Sequence, residues 1–348
     1  MVSVELVKRY PGFTLDVRWE AEDAVVGLFG PSGAGKTLTL QCLAGLITPD
    51  AGRIVVDDRV FLDTAAGVAL PPQARRVGYV FQGYALFPHL SVAENVAFGL
   101  RDRPRAERAR RGAEVLERLG LAGLERRRPR ELSGGQRQRV ALGRALRDEL
   151  RELLAAWGTA AVVVTHDFTE AYRLADRIVV YEAGRVIQSA PRAELLWRPA
   201  SEAVARIMGL SNVLRGTVLK ATPERIQLRW RGQTLEAVNS PTRSYLPPPE
   251  RPIAFFVRPE YVRLIRKDRG APDALHHMNL MRGRVVGEVD FGTVWSLRVR
   301  LDAPGPPAQG DFDLEVEVPH LVYEILEIDR DRHWEFSLHR GSIHVLPS

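Results

Sequence analysis

Apolar and polar residues alternate along Val2–Val7 and Phe13–Trp19, the period of strands with one buried face. Ala24–Phe29 (AVVGLF) is a short, nearly unbroken apolar run, which predicts a central strand buried on both faces. A glycine-rich turn follows, then helical spacing over Lys36–Leu46. Arg53–Leu62 and Val77–Phe81 read as further strands, and from about Leu90 to Leu146 the pattern is helical and arginine-rich. A second aliphatic run, Ala160–Val164, leads into Thr165-His166-Asp167. Arg177–Gln188 reads as a hairpin turning at Ala183-Gly184, followed by short helices near Arg192–Trp197 and Glu202–Met208. This order predicts an α/β fold with a mainly parallel sheet and a helical subdomain over about residues 87–146.

After Ser211 strand patterns dominate: Val213–Ala221, Ile226–Trp230, Ile253–Ile265, Gly283–Val289, Val294–Leu301, Phe312–Val318 and Trp334–Leu346. Proline and glycine clusters at Pro247–Pro249 and Pro304–Gly310 separate them. Asn212-Val-Leu-Arg-Gly-Thr-Val218 returns 67 residues later as Asn279-Leu-Met-Arg-Gly-Arg-Val285. Two packed copies of a small β unit, starting near 212 and 279, are the natural reading; chance likeness between two strand starts is the alternative. The chain thus divides into residues 1–211 and a β-rich 212–348.

Composition adds boundaries. The 348 residues suit two domains at roughly 150 residues each. With 45% hydrophobic and 26% charged residues, the chain reads as globular rather than disordered, collagenous or coiled-coil. No apolar run reaches the ~18 residues of a membrane span, and the N-terminus lacks the apolar core of a secretory signal. The single cysteine, Cys42, rules out an internal disulfide framework and fits a reducing compartment. The net charge of +6 permits nucleic acid or anionic lipid as partners without requiring either.

Gly30-Pro-Ser-Gly-Ala-Gly-Lys-Thr37 fits G-x-x-x-x-G-K-[ST] without a mismatch, between a buried strand and a helix. Through Gly30, Pro31, Ser32, Gly33, Ala34 and Gly35 the backbone can wrap N–H groups around phosphate oxygens, at the favourable end of a helix dipole. Lys36 can reach the β and γ phosphates of a nucleotide, and the Thr37 hydroxyl can ligate Mg2+. The chain has only four lysines (Lys8, Lys36, Lys220 and Lys267), which weighs against an accidental match. Further on, Glu131-Leu-Ser-Gly-Gly-Gln136 sets Ser133 where a helix cap belongs, with Gly134, Gly135 and Gln136 opening the helix.

Together these motifs resemble those of ABC-type ATPases, the second being like that family's signature motif. Gln82 resembles the glutamine that reaches Mg2+ and couples the site to a membrane subunit. His166 resembles the switch histidine at the γ-phosphate. Tyr10 resembles the aromatic residue that stacks on adenine, with Phe13 as competitor. The tail, including Val257-Arg-Pro-Glu260, looks like the OB/TOBE-like or MOP-like accessory domain of importer ATPases. Ile54 through Gly67–Gln73 into Arg75–Gln82 looks like the ATP-binding subunit of molybdate importers, although sulfate, ferric-iron, polyamine and sugar importers share most of this architecture.

The resemblance implies a P-loop ABC ATPase with ATP and Mg2+ as cofactors, acting as a homodimer. The Lys36 loop of one copy and the Ser133 motif of the other would sandwich ATP. It further implies a peripheral position on the cytoplasmic face of the plasma membrane, docked through about Gly83–Val92 on permease subunits that receive solute from a binding protein.

One family element is missing: an aliphatic strand ending in Asp-Glu, with its following loop, between the signature helix and His166. Only 31 positions separate Gly135 from His166, too few for an added strand, loop and helix. Asp148-Glu149 has no aliphatic strand before it and reads as a solvated helix face. By the resemblance, the core sheet lacks a strand, so its neighbours pair directly or lose partners. ATP binding is then retained while hydrolysis is impaired. Three readings stand: an importer ATPase subunit, a hydrolysis-deficient nucleotide- or oxyanion-binding regulatory relative, and a nucleic-acid-associated ABC ATPase resting on arginine-rich 101–130. A solvated helical subdomain accounts for that last stretch, so no nucleic acid is expected.

Overall fold

The computed structural model describes residues 1–22, 25–77, 79, 90–96, 104, 116–117, 120–121, 123–132, 160–239, 246–265 and 278–346. The chain divides into two compact units, 1–192 and 193–348. The division lies ahead of the compositional change at Ser211, so the short helix near Glu202 goes with the second unit.

Among the described residues the first unit is built on a nine-stranded sheet. Its strands are β1 (Val2–Tyr10), β2 (Phe13–Ala21), β3 (Val25–Phe29), β4 (Ala51–Val56), β5 (Arg59–Asp63), β6 (Val68–Ala69), β7 (Ala161–Thr165), β8 (Arg177–Glu182) and β9 (Arg185–Pro191). They lie in the order β6-β5-β4-β1-β2-β9-β8-β3-β7. The helices among the described residues are α1 (Lys36–Ala44), α2 (Pro72–Arg75), α3 (Val92–Val96) and α4 (Phe168–Leu174). Every residue of β3 is buried, as its apolar run requires, whereas β2 alternates buried and solvent-facing positions.

Among the described residues, parallel pairing is confined to β7-β3-β8 and a single β2–β9 contact, and the other junctions are antiparallel. The expectation of a mainly parallel sheet is corrected accordingly. Two-residue links at Pro11-Gly12, Asp57-Asp58 and Ala183-Gly184 can only make hairpins, since a parallel crossover needs a dozen or more residues. The reading of Arg53–Leu62 as one strand is corrected for the same reason. Asp57 and Asp58 both take positive φ (48° and 64°) and fold it into a hairpin. Most of the predicted Val77–Phe81 strand and of the helical subdomain, with Asp148-Glu149, lies outside the described residues.

In the second unit, α5 (Arg192–Trp197, reaching back one residue into the first) and α6 (Glu202–Ile207) precede two five-stranded sheets. The strands are β10 (Val213–Ala221), β11 (Arg225–Trp230), β12 (Gln233–Val238), β13 (Pro252–Phe256), β14 (Val262–Ile265), β15 (Met278–Asp290), β16 (Val294–Leu301), β17 (Leu314–Pro319), β18 (His333–His339) and β19 (His344–Val345), with α7 over His320–Ile325. The sheet orders are β12-β11-β10-β13-β19 and β14-β18-β15-β16-β17. Ile253–Ile265 is therefore two strands in different sheets, split by a 3-10 turn at Pro259–Tyr261. Proline ends the first ladder because it has no N–H to donate. Trp334–Leu346 is split likewise at Arg340–Ser342.

The two copies of the 67-residue motif form the same construction. β10 lies between β11 and β13, β15 lies between β16 and β18, and each central strand carries a bulge, after Val218 and after Val285. One apolar core, from Leu214 and Phe255 to Leu297 and Phe336, is shared by both sheets. The leading asparagines clamp the copies together. Asn212 accepts from the Glu315 backbone N–H at 2.7 Å and donates to its carbonyl at 2.7 Å. Asn279 does the same at Glu236, at 2.6 and 3.0 Å, and also donates to the Leu338 carbonyl.

Candidate functional site

Phe29 of β3 pairs with Thr165 of β7 in parallel register. The next residues, Gly30 and His166, therefore leave adjacent strands level with one another, at the carboxyl ends where α/β sheets bind ligands. His166 is exposed. Its turn is held by Asp167, which caps α4 by accepting from Glu170 N–H at 2.9 Å, and by Thr165 Oγ1 donating to Glu170 at 2.5 Å. Phe168 packs edge-on against Phe29, with centroids 5.5 Å apart, and fixes α4 over the strand end.

Between β3 and α1 the backbone takes positive φ at Gly30, Gly33 and Gly35. At Gly30 a side chain is impossible, because a Cβ would sit 2.3 Å from the Tyr181 carbonyl oxygen. Gly35 caps α1 in the left-handed conformation, and no side chain caps that helix. Its first-turn N–H groups are thus left for an anion. Pro31, Ser32, Gly33 and Thr37 are exposed, whereas Ala34 is buried.

Lys36 is buried, and its Nζ donates to the carbonyls of Gly30 and Pro31, both at 2.7 Å. Burial pushes its pKa down, and no carboxylate enters among the causes. A buried ammonium satisfied by loop carbonyls keeps its charge for a phosphate. The loop therefore fits a polyphosphate.

Tyr10 and Phe13 face each other across the β1–β2 turn. Phe13 is committed to the core beneath Gly35, which leaves Tyr10, 43% exposed, as the aromatic ring open to a base. Gln82, Ser133, Gly134, Gly135 and Gln136 lie outside the described residues.

Sequence reasoning missed how the loop is supported. Ala183-Gly184, read only as a turn, sits against it: Gly184 N–H donates to the Ala34 carbonyl at 3.2 Å and its carbonyl accepts from Asp16 N–H at 2.8 Å. A Cβ on Gly184 would lie 2.0 Å from the Thr14 carbonyl oxygen. Beneath the loop, Trp19, Tyr181 and Thr39 are all buried. Trp19 Nε1 donates to Tyr181 Oη at 2.9 Å, and Thr39 Oγ1 donates to the Gly35 carbonyl at 3.1 Å. Burial raises the Tyr181 pKa, so it stays neutral. For Trp19 and Tyr181 the available signal was a polar group inside an apolar strand.

The strand–loop–helix, its buried lysine and its place at the ends of parallel strands define a phosphate-loop α/β protein. The ABC transporter family matches residues 16–155. A molybdenum import ATP-binding protein of Rhizobium etli is 33% identical over 328 residues, covering 87% of this chain and 89% of its own length. A molybdenum import ATP-binding protein of Rhodospirillum rubrum is 41% identical over 223 residues, 57% of this chain and 60% of its own. A spermidine/putrescine import ATP-binding protein of Methylococcus capsulatus is 46% identical over 236 residues, 60% of this chain and 59% of its own. The chain thus spans about three fifths of the length of the last two relatives. It belongs to the ABC transporter ATP-binding family.

Proposed function

We propose that this chain is the ATP-binding, energy-coupling subunit of an ABC-type importer for molybdate or another small oxyanion. The observation that carries the nucleotide part is the loop: an uncapped helix N-terminus beside a buried lysine whose only hydrogen-bond partners among the described residues are two loop carbonyls. The oxyanion part rests on relatives named for molybdenum import. A relative of similar identity named for spermidine/putrescine import keeps polyamines as the competing solute.

In this reading Lys36 trades its two carbonyls for β- and γ-phosphate oxygens, and the first-turn N–H groups of α1 hold the β-phosphate. His166, level with Gly30, hydrogen-bonds the γ-phosphate, and Tyr10 stacks on the base. Mg2+ would be held by the Thr37 hydroxyl and Gln82, and it would neutralise charge on the β and γ phosphates. Two copies face each other so that Ser133–Gln136 of one closes over the nucleotide of the other. Closure drives permease subunits at the cytoplasmic face of the membrane. Among the described residues no helix is long and apolar enough to cross it.

A second reading has a specific observation behind it. Between Gly135 and His166 the sequence holds no aliphatic strand ending in Asp-Glu, and β7 is both the direct partner of β3 and the last strand of the sheet among the described residues. A chain without that strand binds ATP and turns it over poorly, as a regulatory relative would.

The test is ATP binding and Mg-ATP hydrolysis by the purified chain beside Lys36→Ala. Turnover lost in Lys36→Ala supports the importer ATPase. Binding without turnover supports the regulatory relative, and equal binding by both proteins removes the nucleotide reading. The solute is tested by restoring molybdate-dependent growth to a bacterium lacking its own molybdate import ATPase, with sulfate and spermidine uptake scored in parallel.

A further inference from the structure

Strand β1 outruns its partner on one side. Its ladder with β4 ends at Val7 and Ala51, while its ladder with β2 continues through Lys8–Leu15 and Arg9–Thr14 to Tyr10–Phe13. Among the described residues, the last three positions of β1, which carry Tyr10, thus have a neighbouring strand on one edge alone. Asp50 closes the other edge. Its backbone N–H donates to the Val7 carbonyl at 2.8 Å, its Oδ2 accepts the Arg9 N–H at 2.7 Å, and its Oδ1 accepts from Lys8 Nζ at 2.7 Å. A carboxylate stands where the carbonyl of a longer β4 would have paired.

Lys8 and Tyr10 are two positions apart on a strand, so their side chains leave the same face. Residues directly opposite in an antiparallel pair also share a face, and the opposites here are Leu15 and Phe13. Both reach the phosphate loop, with Leu15 Cδ1 and Phe13 Cζ 2.5 and 3.3 Å from where a Gly35 Cβ would stand. The Lys8 ammonium, tied to Asp50, lies 5.7 Å from the centre of the Tyr10 ring, within cation–π reach. Gly45 caps α1, and residues 46–49 alone separate that cap from Asp50. Asp50 and Lys8 therefore tie the ring to the far end of the helix that begins at Lys36.

We propose that Lys8 and Asp50 are positioning residues for the nucleotide base, holding the Tyr10 ring in the place where the base stacks on it. Both act through Tyr10 rather than on the nucleotide. The inference rests on the nucleotide reading above and adds how the base half of that site is held. Lys8 and Asp50 are partly exposed, and an ion pair of that kind adds little to stability, so the effect is read in binding rather than in melting.

ATP and inorganic tripolyphosphate are titrated against the full chain, Lys8→Met, Asp50→Ala, Tyr10→Ala, the two double variants that combine Tyr10→Ala with each of the others, and Lys220→Met. Lys220 is exposed on β10 in the second unit and controls for the loss of one positive charge. Thermal unfolding is followed in the same samples.

Tyr10→Ala is expected to weaken ATP about tenfold, the size of one base–aromatic stack. Lys8→Met and Asp50→Ala should each weaken it about two- to fivefold, the size of one exposed cation–π contact. Tripolyphosphate, which has no base, should bind all of these variants as it binds the wild type. With Tyr10 already replaced, neither further change should weaken ATP again, because a brace without its ring has nothing to hold. Lys8→Met should unfold at the wild-type temperature.

Wild-type ATP affinity in either Lys8→Met or Asp50→Ala overturns the inference. So does an equal loss of tripolyphosphate, an equal loss in Lys220→Met, or a loss that persists beside Tyr10→Ala. If Tyr10→Ala itself binds ATP as the wild type does, the ring is no platform and the inference falls while the phosphate loop stands. If the wild-type chain binds neither ATP nor tripolyphosphate, the nucleotide reading fails and takes the inference with it.

Discussion

Asn212→Ala removes a side chain that is fully buried and makes two backbone bonds to Glu315, both 2.7 Å long. The Glu315 N–H and C=O sit on β17, 103 residues away, and this amide completes their pairing. Truncation leaves one donor and one acceptor part-buried without partners, at about 1–3 kcal/mol each. Some water enters beside Glu315, so the expected total is about 2–4 kcal/mol. For a unit of this size that lowers the unfolding temperature by about 4–16 °C. Asn279→Ala is expected to cost a similar amount through Glu236 and Leu338. Because the chain has two units, native-state amide exchange is the assay that localises the effect. Asn212→Ala should deprotect β17 and spare β12, and Asn279→Ala should do the reverse. Asn212→Asp should be at least as damaging at neutral pH, since a carboxylate cannot donate to the Glu315 carbonyl, and should recover in part on acidification. A loss under about 0.5 kcal/mol in both alanine variants, or deprotection away from the clamped strand, refutes the reasoning.

Gly184→Ala is expected to lower ATP affinity about tenfold, because a Cβ 2.0 Å from the Thr14 carbonyl oxygen must push the β8–β9 turn off Ala34. Gly292→Ala has nearly the same φ, 83°, but nothing within 4 Å of its Cβ, and should leave ATP binding unchanged in the same titration. Glu317 has its pKa raised by burial, then by Glu260 and Glu315. Its ionised form is therefore disfavoured in the fold, and the native state gains stability as pH falls through that raised value. Glu317→Gln should stabilise the second unit at pH 7 in urea titrations, with the gain gone below pH 4.5. Arg75 closes the end of α1, with Nη1 at 2.7 and 2.8 Å from the Cys42 and Leu43 carbonyls and Nε at 2.9 Å from the Leu70 carbonyl. A lysine cannot present that fork, so Arg75→Lys should cost about 1–3 kcal/mol in denaturant melts.

Local chemistry was legible where one segment carries it. The Gly30–Thr37 spacing announces its own loop, because a tight turn, a lysine and a helix start all lie within eight residues. The hairpin at Ala183-Gly184, the helix at Arg192–Trp197 and the strand at Val213–Ala221 were readable from period and turn residues. The repeat of Asn212 at Asn279 was visible as a pattern, but not what the asparagines do.

The sequence by itself determined the phosphate loop, its flanking strand and helix, and the two-part organisation. Periodicity, glycine placement and the polarity of neighbours are properties of a continuous stretch of chain. Only the tertiary structure decided the antiparallel character of much of the first sheet, the splitting of Ile253–Ile265 and Trp334–Leu346 between two sheets, and the level placement of His166 beside Gly30. It alone joined Trp19 to Tyr181 and Asn212 to Glu315. Partners more than a hundred residues apart meet only once strand order and register are set. Those follow from how whole apolar faces are buried together, which no single window of sequence contains.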